Sequence, residues 1–139
     1  FFYRVINQGQ DFSVKEAWNT RAQGYMSSPV VIEGHAYLHL GNGRLACFRL
    51  QDGEETWRSK PFGKYWSVAA QHNRILALDE RGELLLIDAD PTEFRLLDRK
   101  QISEQEAWAH VAVADDDVLV RDLGGVALFE WRPTAENQQ

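Results

Sequence analysis

His110 stands two residues after Trp108, and an imidazole in that position suits a ligand or a general base. A base needs a nucleophile within reach, and no Ser, Cys or second His lies at a spacing that identifies one. His35, His39 and His72 fall in or beside turn-like stretches, where exposed or half-buried polar side chains are ordinary. Zinc would need three or four such ligands brought together, and their spacing does not indicate that. The run Asp115-Asp116-Asp117 lacks the alternating oxygen ligands and the following acid of a calcium loop, so a solvated turn is expected. Asp79, Asp88 and Asp122 read as strand-end acids of the same kind. Cys47 is the only cysteine, so it forms no disulfide within the chain and reads as a small apolar strand residue. No catalytic constellation, metal site or cofactor site emerges. What remains is a group near the starts of strands: Tyr25, Tyr65, Trp66, Trp108 and His110. Such rings, with Met26, suit the mouth of a channel, where they would stack a flat ligand, a sugar or a peptide side chain. The alternative for the rings is packing between sheets. Trp18, Trp57 and Trp131 are expected to be structural.

Those residues must be positioned by strands. Residues 26–59 read as four short strands, at 29–32, 36–40, 44–50 and 54–58. Glu33-Gly34, Gly41-Asn42-Gly43 and Gln51-Asp52-Gly53 separate them, and these residue types make tight turns and tolerate positive φ. The pattern recurs over 66–101, with strands at 68–70, 74–79, 83–88 and 94–100. It recurs again over 108–131 as three strands, at 111–114, 118–122 and 126–131. Gly43 and Gly82 are 39 residues apart. Residues 12–20 resemble the last strand of an earlier unit, because Trp18 precedes Ser28 by the interval that separates Trp57 from Ser67. Met26, Trp66 and Trp108 are aligned as the openers of the units, and Tyr37, Ile75 and Leu119 as matching second-strand residues. Residues 1–11 show no clear period, although Phe1, Phe2, Tyr3, Val5 and Ile6 suit a strand or packing onto a neighbour. Four-stranded antiparallel units at a period near 40 predict an all-β fold, a β-propeller.

Composition narrows the partners. The 139 residues are 44% hydrophobic, enough for one core, and carry a net charge of −6 with the charges scattered. Nucleic acid is excluded as an expected partner, because backbone binding needs a concentrated basic face. No stretch is apolar and long enough to span a bilayer. Phe1 in place of Met implies an upstream segment, and residues 132–139 read as a polar tail.

The stretches SSPVVIEGHAYL, NGRLACFRLQDGEETW and WAHVAVADDDVLVRDLGGVALFEW resemble repeats of the PQQ-like (quinoprotein-like) propellers. That family includes quinoprotein alcohol dehydrogenases and a lipoprotein of the outer-membrane protein assembly machinery. Pro29, Val30, Val31, Gly34, Tyr37, Gly43, Leu45, Gly53 and Trp57 fall on the family's repeat. The second unit lacks the closing Trp, with Leu97 near that position. The resemblance implies a propeller and an extracytoplasmic, periplasmic location. It also implies, for the dehydrogenases, PQQ on a Trp floor over a disulfide of adjacent cysteines, with calcium alongside. A chain with one cysteine cannot form that disulfide.

Closed propellers have about 4 to 8 blades, so three units and a stray strand make an arc. Three arrangements fit. The chain is the C-terminal piece of a larger propeller, completed by further blades. Alternatively, two copies close a six-bladed ring, each lending residues 12–20 to the other's third unit. A compact assembly of another kind is the third. The expected function is a non-enzymatic binding scaffold for a protein or peptide partner. The competing reading is a fragment of a PQQ-dependent dehydrogenase whose cofactor residues lie elsewhere.

Overall fold

The computed structural model describes residues 1–132, so all of the expected polar tail except Arg132 lies outside the described residues. Thirteen strands and no helix are present among them. Strands β1 (Phe2–Asn7) and β2 (Phe12–Trp18) form a two-stranded hairpin. Next come β3 (Val30–Ile32), β4 (His35–His39), β5 (Arg44–Arg49) and β6 (Glu55–Pro61), a four-stranded meander. A second four-stranded meander contains β7 (Trp66–Gln71), β8 (Arg74–Asp79), β9 (Glu83–Asp88) and β10 (Arg95–Gln101). The last sheet has three strands, β11 (Ala112–Ala114), β12 (Asp117–Arg121) and β13 (Val126–Glu130). All pairings are antiparallel, and the architecture is a partial β-propeller.

The first hairpin of each of the last three sheets turns on two residues. Ile32 pairs with His35, Gln71 with Arg74 and Ala114 with Asp117. Glu33, His72 and Asp115, the first turn residues, have φ of 45°, 52° and 52°, the positive first dihedral that the primed hairpin turns share. Counting from these turns aligns Tyr37 with Leu76 and Leu119. Ile75, expected at that place, is one position off. A slip of one residue turns a side chain to the opposite face of its sheet, and the packing shows it. Tyr37, Leu45 and Cys47 pack across to Ile75, Ala77, Leu85 and Ile87 in the first core. Leu78 and Leu84 face the other way, onto Ala107, Val111, Val118 and Val120. Alternate residues of each strand therefore serve alternate interfaces, so these sheets are apolar on both faces.

Large rings fix how neighbouring sheets meet. Trp18 lies opposite Phe2 in β1, and its Nε1–H donates to the Leu50 carbonyl of the next sheet (2.8 Å). Trp57 lies opposite Cys47 in β5, and its Nε1–H donates to the Asp90 carbonyl of the next sheet (2.8 Å). The Tyr37 hydroxyl adds a bond to the Ala89 carbonyl (2.8 Å). Each sheet carries a register irregularity just before this position, leaving Ala17, Thr56 and Leu97 unpaired. The bulge turns the following residue onto the interface. By that register the residue equivalent to Trp18 and Trp57 is Asp98, opposite Leu86, rather than Leu97. Gly53 (φ 79°) passes directly beneath Trp18, where a Cβ would lie 2.6 Å from the indole.

Apolar surface stays exposed at both ends of the series: Phe1, Tyr3, Val5, Phe12 and Val14 on the first hairpin, and Leu119, Val126 and Leu128 on the last sheet.

Trp57→Ala is expected to lower the unfolding free energy by about 3 kcal/mol, from lost burial and the lost indole bond. Urea unfolding of the chain checks it, and a loss under about 1 kcal/mol would show that this ring does not join the sheets. Gly53→Ala should destabilise by displacing Trp18, and the double variant with Trp18→Ala should cost less than the sum of the two.

Candidate functional site

The expected site residues divide by burial. Trp66 is fully buried in the first core, so it does not line a channel mouth. Its ring stacks on His39 with centroids 4.9 Å apart and touches Phe62 at 4.8 Å. Counted back from the hairpins, Trp66 aligns with Ser27, whereas Met26, Tyr65 and Trp108 are the mutually equivalent openers. Tyr65 is buried under Trp108, the two rings stacked at 5.7 Å and 20°. Trp108 is 38% exposed, Met26 51% and Tyr25 61%. The Trp108 indole N–H donates to Glu106 (2.9 Å), leaving the rest of the ring as a half-open aromatic surface beside the innermost strand.

His110 is exposed, and its Nδ1 lies 3.3 Å from Ser67 Oγ. This pairing joins residues 43 apart and was not visible in the sequence, because it depends on β7 and the segment before β11 lying side by side. It does not make a nucleophile. Ser67 is fully buried, and its Oγ also accepts the Val111 N–H (2.7 Å). A buried hydroxyl tied to backbone is a strap between sheets, out of reach of a substrate.

Asp79, expected to be solvated, is buried, and so is its neighbour Glu80. Asp79 has no exposed surface, and its carboxylate is fully occupied. Oδ1 accepts the Arg81 backbone N–H (2.9 Å) and Nε–H (2.9 Å). Oδ2 accepts the Gly63 N–H (2.9 Å), the Trp66 indole (3.1 Å) and the Arg81 Nη2 (3.1 Å). Burial alone would raise its pKa, but the Arg81, Trp66 and Gly63 donors outweigh it and hold the carboxyl below its ordinary range. Glu80 accepts the Lys64 N–H (2.9 Å) and Tyr65 N–H (3.0 Å). These acids tie the crossing 62–65 to the second sheet; Gly63 fits because any Cβ would strike both carboxylates. Cys47 is buried, and that burial pushes its thiol pKa up, which suppresses thiolate chemistry. No cluster of three metal-ligating side chains occurs among the described residues.

At the opposite end of the strands, a groove of about 590 Å³ opens between the second and third sheets. Leu76, Leu86, Val113, Val118 and Trp131 form its walls, with Arg74, Asp115 and Asp116 at its rim.

No protein-family model matches the chain, and no curated protein matches it. Solved structures do. BamB from Moraxella catarrhalis superposes with a TM-score of 0.66 at 11% identity, over 86% of this chain and 36% of that one. The quinohemoprotein alcohol dehydrogenase ADHIIG from Pseudomonas putida HK5 gives 0.63 at 15% identity, over 81% and 20%. A europium-containing methanol dehydrogenase gives 0.60 at 17%, over 81% and 22%. The expected resemblance to quinoprotein-like propellers is thus shown at the level of the fold. The chain spans about a third of the BamB chain and about a fifth of each dehydrogenase. No helix among the described residues is long and apolar enough to cross a membrane.

His39 was expected at a half-exposed hairpin position but is fully buried, with neither ring nitrogen hydrogen-bonded. Burial lowers its pKa; Asp79 and Glu80 across the interface, and the Gly43 and Gly63 carbonyls, oppose this without reversing it. The unfolded chain therefore takes up this proton before the folded one. The stabilising contribution is complete above the ordinary histidine value of about 6.5 and is lost as pH falls through the lower folded value. Thermal unfolding midpoints measured from pH 7.5 to 5 should fall for the native sequence and fall less for His39→Phe, which preserves the stack on Trp66. Parallel curves would show that His39 does not titrate at this interface.

Proposed function

We propose that the chain is part of a non-enzymatic propeller that serves as a scaffold for binding a protein or peptide partner. The observation that carries this reading is the row of Met26, Tyr65 and Trp108 at equivalent points of successive sheets. Trp108 is half-open over Tyr65, and Tyr25 and Met26 are exposed. Exposed aromatic and Met side chains beside rigid strands are typical of protein contact surfaces. Of the five expected contacts, Tyr25, Trp108 and His110 are exposed and would meet the partner in this reading, while Tyr65 stacks under Trp108. The groups that could do chemistry, Asp79, Glu80, Ser67 and Cys47, are buried, and the acids and Ser67 are spent on backbone bonds.

Further blades of the same propeller, outside this sequence, would cover the exposed apolar ends; a homodimer closing a six-bladed ring is the other way to cover them. A net charge of −6 argues against a nucleic-acid partner. The extracytoplasmic location rests on family resemblance.

A photo-cross-linking residue placed at 25, and separately at 108, should trap the same protein, and Met26→Asp should suppress both adducts. Different adducts from the two positions, or none, would count against a shared surface. Calorimetric titration with PQQ and calcium separates the enzymatic reading: saturable binding in the micromolar range would overturn the scaffold proposal.

A further inference from the structure

The joint between the second and third sheets differs from the two before it. In the first four-stranded sheet, the cross-strand row facing the next sheet is Val30, Tyr37, Cys47 and Trp57. Its equivalent in the second is Ala69, Leu76, Leu86 and Asp98. Residues directly opposite one another share a face of the sheet, so Asp98 stands where an indole closes the earlier joint. It is exposed, and the side chain accepts only the Arg99 N–H among the described residues. Both hydrogen bonds that clamp the previous joint, from Tyr37 and Trp57, have no counterpart, because Leu76 has no donor and the Asp98 carboxylate only accepts. The groove of about 590 Å³ lies along this row, floored by Leu76 and Leu86.

The opposite wall keeps what an indole would need. Leu50, Ala89 and Trp131 are equivalent, each donating its N–H to the turn of its own first hairpin, at Gly34, Asn73 and Asp116. In the first joint the indole bonds the Leu50 carbonyl. The Trp131 carbonyl is the counterpart of Leu50 here, although in the second joint the indole reaches one residue further, to Asp90, and Ala89 takes the Tyr37 hydroxyl. The Trp131 ring adds an aromatic wall to the groove. Two acids line the groove without an ion pair among the described residues, Asp115 and Asp116, whereas Arg74 is paired with Asp88.

We propose that this groove is a docking slot for an aromatic side chain, a tryptophan best, presented by a peptide segment with flanking lysine or arginine. The guest ring takes the place that Trp18 and Trp57 occupy in their joints, and the flanking cations face Asp115 and Asp116. This rests on the reading of the chain as a binding scaffold and gives it a partner chemistry.

The probe is acetyl-Lys-Trp-Lys-amide, titrated into the isotope-labelled chain and followed by NMR. Saturable shifts centred on Leu76, Leu86, Val113 and Trp131 are expected, with acetyl-Lys-Leu-Lys-amide about tenfold weaker. Asp98→Trp should fill the slot from within, raise the thermal midpoint and abolish binding. If that variant does not give a folded spectrum, Asp115→Asn with Asp116→Asn, both exposed turn positions, should weaken the tryptophan peptide severalfold. Shifts that scatter elsewhere, equal affinity for the two peptides, or unchanged binding by a folded Asp98→Trp would overturn the slot. Cross-linking from positions 25 and 108 reads the opposite end of the sheets. A partner trapped there without peptide binding at the groove would sink this inference and leave the scaffold reading standing.

Discussion

A sheet that is apolar on both faces has no stable existence in water, so its neighbours decide its fate. In this chain the first two joints between sheets are each made by an indole that leaves its own sheet at a bulge and donates its N–H to a carbonyl of the next. The ring covers apolar surface, and its one polar atom is satisfied by a backbone carbonyl of the neighbouring sheet. The bulges at Ala17 and Thr56 exist to aim that ring. Gly53 is needed because the backbone must run under Trp18. Once the joint is set, the cores of Tyr37, Cys47, Ile75 and Ile87 fall into place behind it.

Much of this was legible in the sequence. The turns were marked by Gly with Asn, Asp or Glu, and β8 and β9 lie at the expected positions, 74–79 and 83–88. The spacing of Trp18 from Ser28 and of Trp57 from Ser67 reflected a true structural repeat. What the sequence concealed was the face of each residue. Ile75 and Tyr37 are both large and apolar, and nothing in their types says that one looks backward and the other forward. A period of two leaves no margin for a one-residue slip, and the bulge at Leu97 adds such a slip within a strand. Asp98, the residue that matters, was therefore hidden behind its neighbour.

The site was less legible for a related reason. His39, Asp79 and Trp66 lie at the ends of strands, where a single sheet would expose them, and the adjacent sheet buries them instead. Burial of that kind is a property of two sheets at once and leaves no local mark. Trp66 and Trp108 differ by one register position, which separates a ring in the core from a ring facing outward. Tyr25 stays exposed, at 61%.

The joints are also unequal in what they resist. The first two carry an indole bond, and the second is reinforced by the Tyr37 hydroxyl. The third relies on Leu78, Leu84, Val118 and Val120, with the Ser67 strap, and opens into a groove beyond them. A series of modules held by unlike couplings comes apart in order, with the weakest coupling failing first. The joint between the second and third sheets, which lacks an indole bond among the described residues, is therefore the fault line, held besides by the bonds of Ser103 to Asp122 and of Ala107 to Glu80. Under force or heat the last sheet would be shed as a unit while the three sheets joined by the two indoles stayed together.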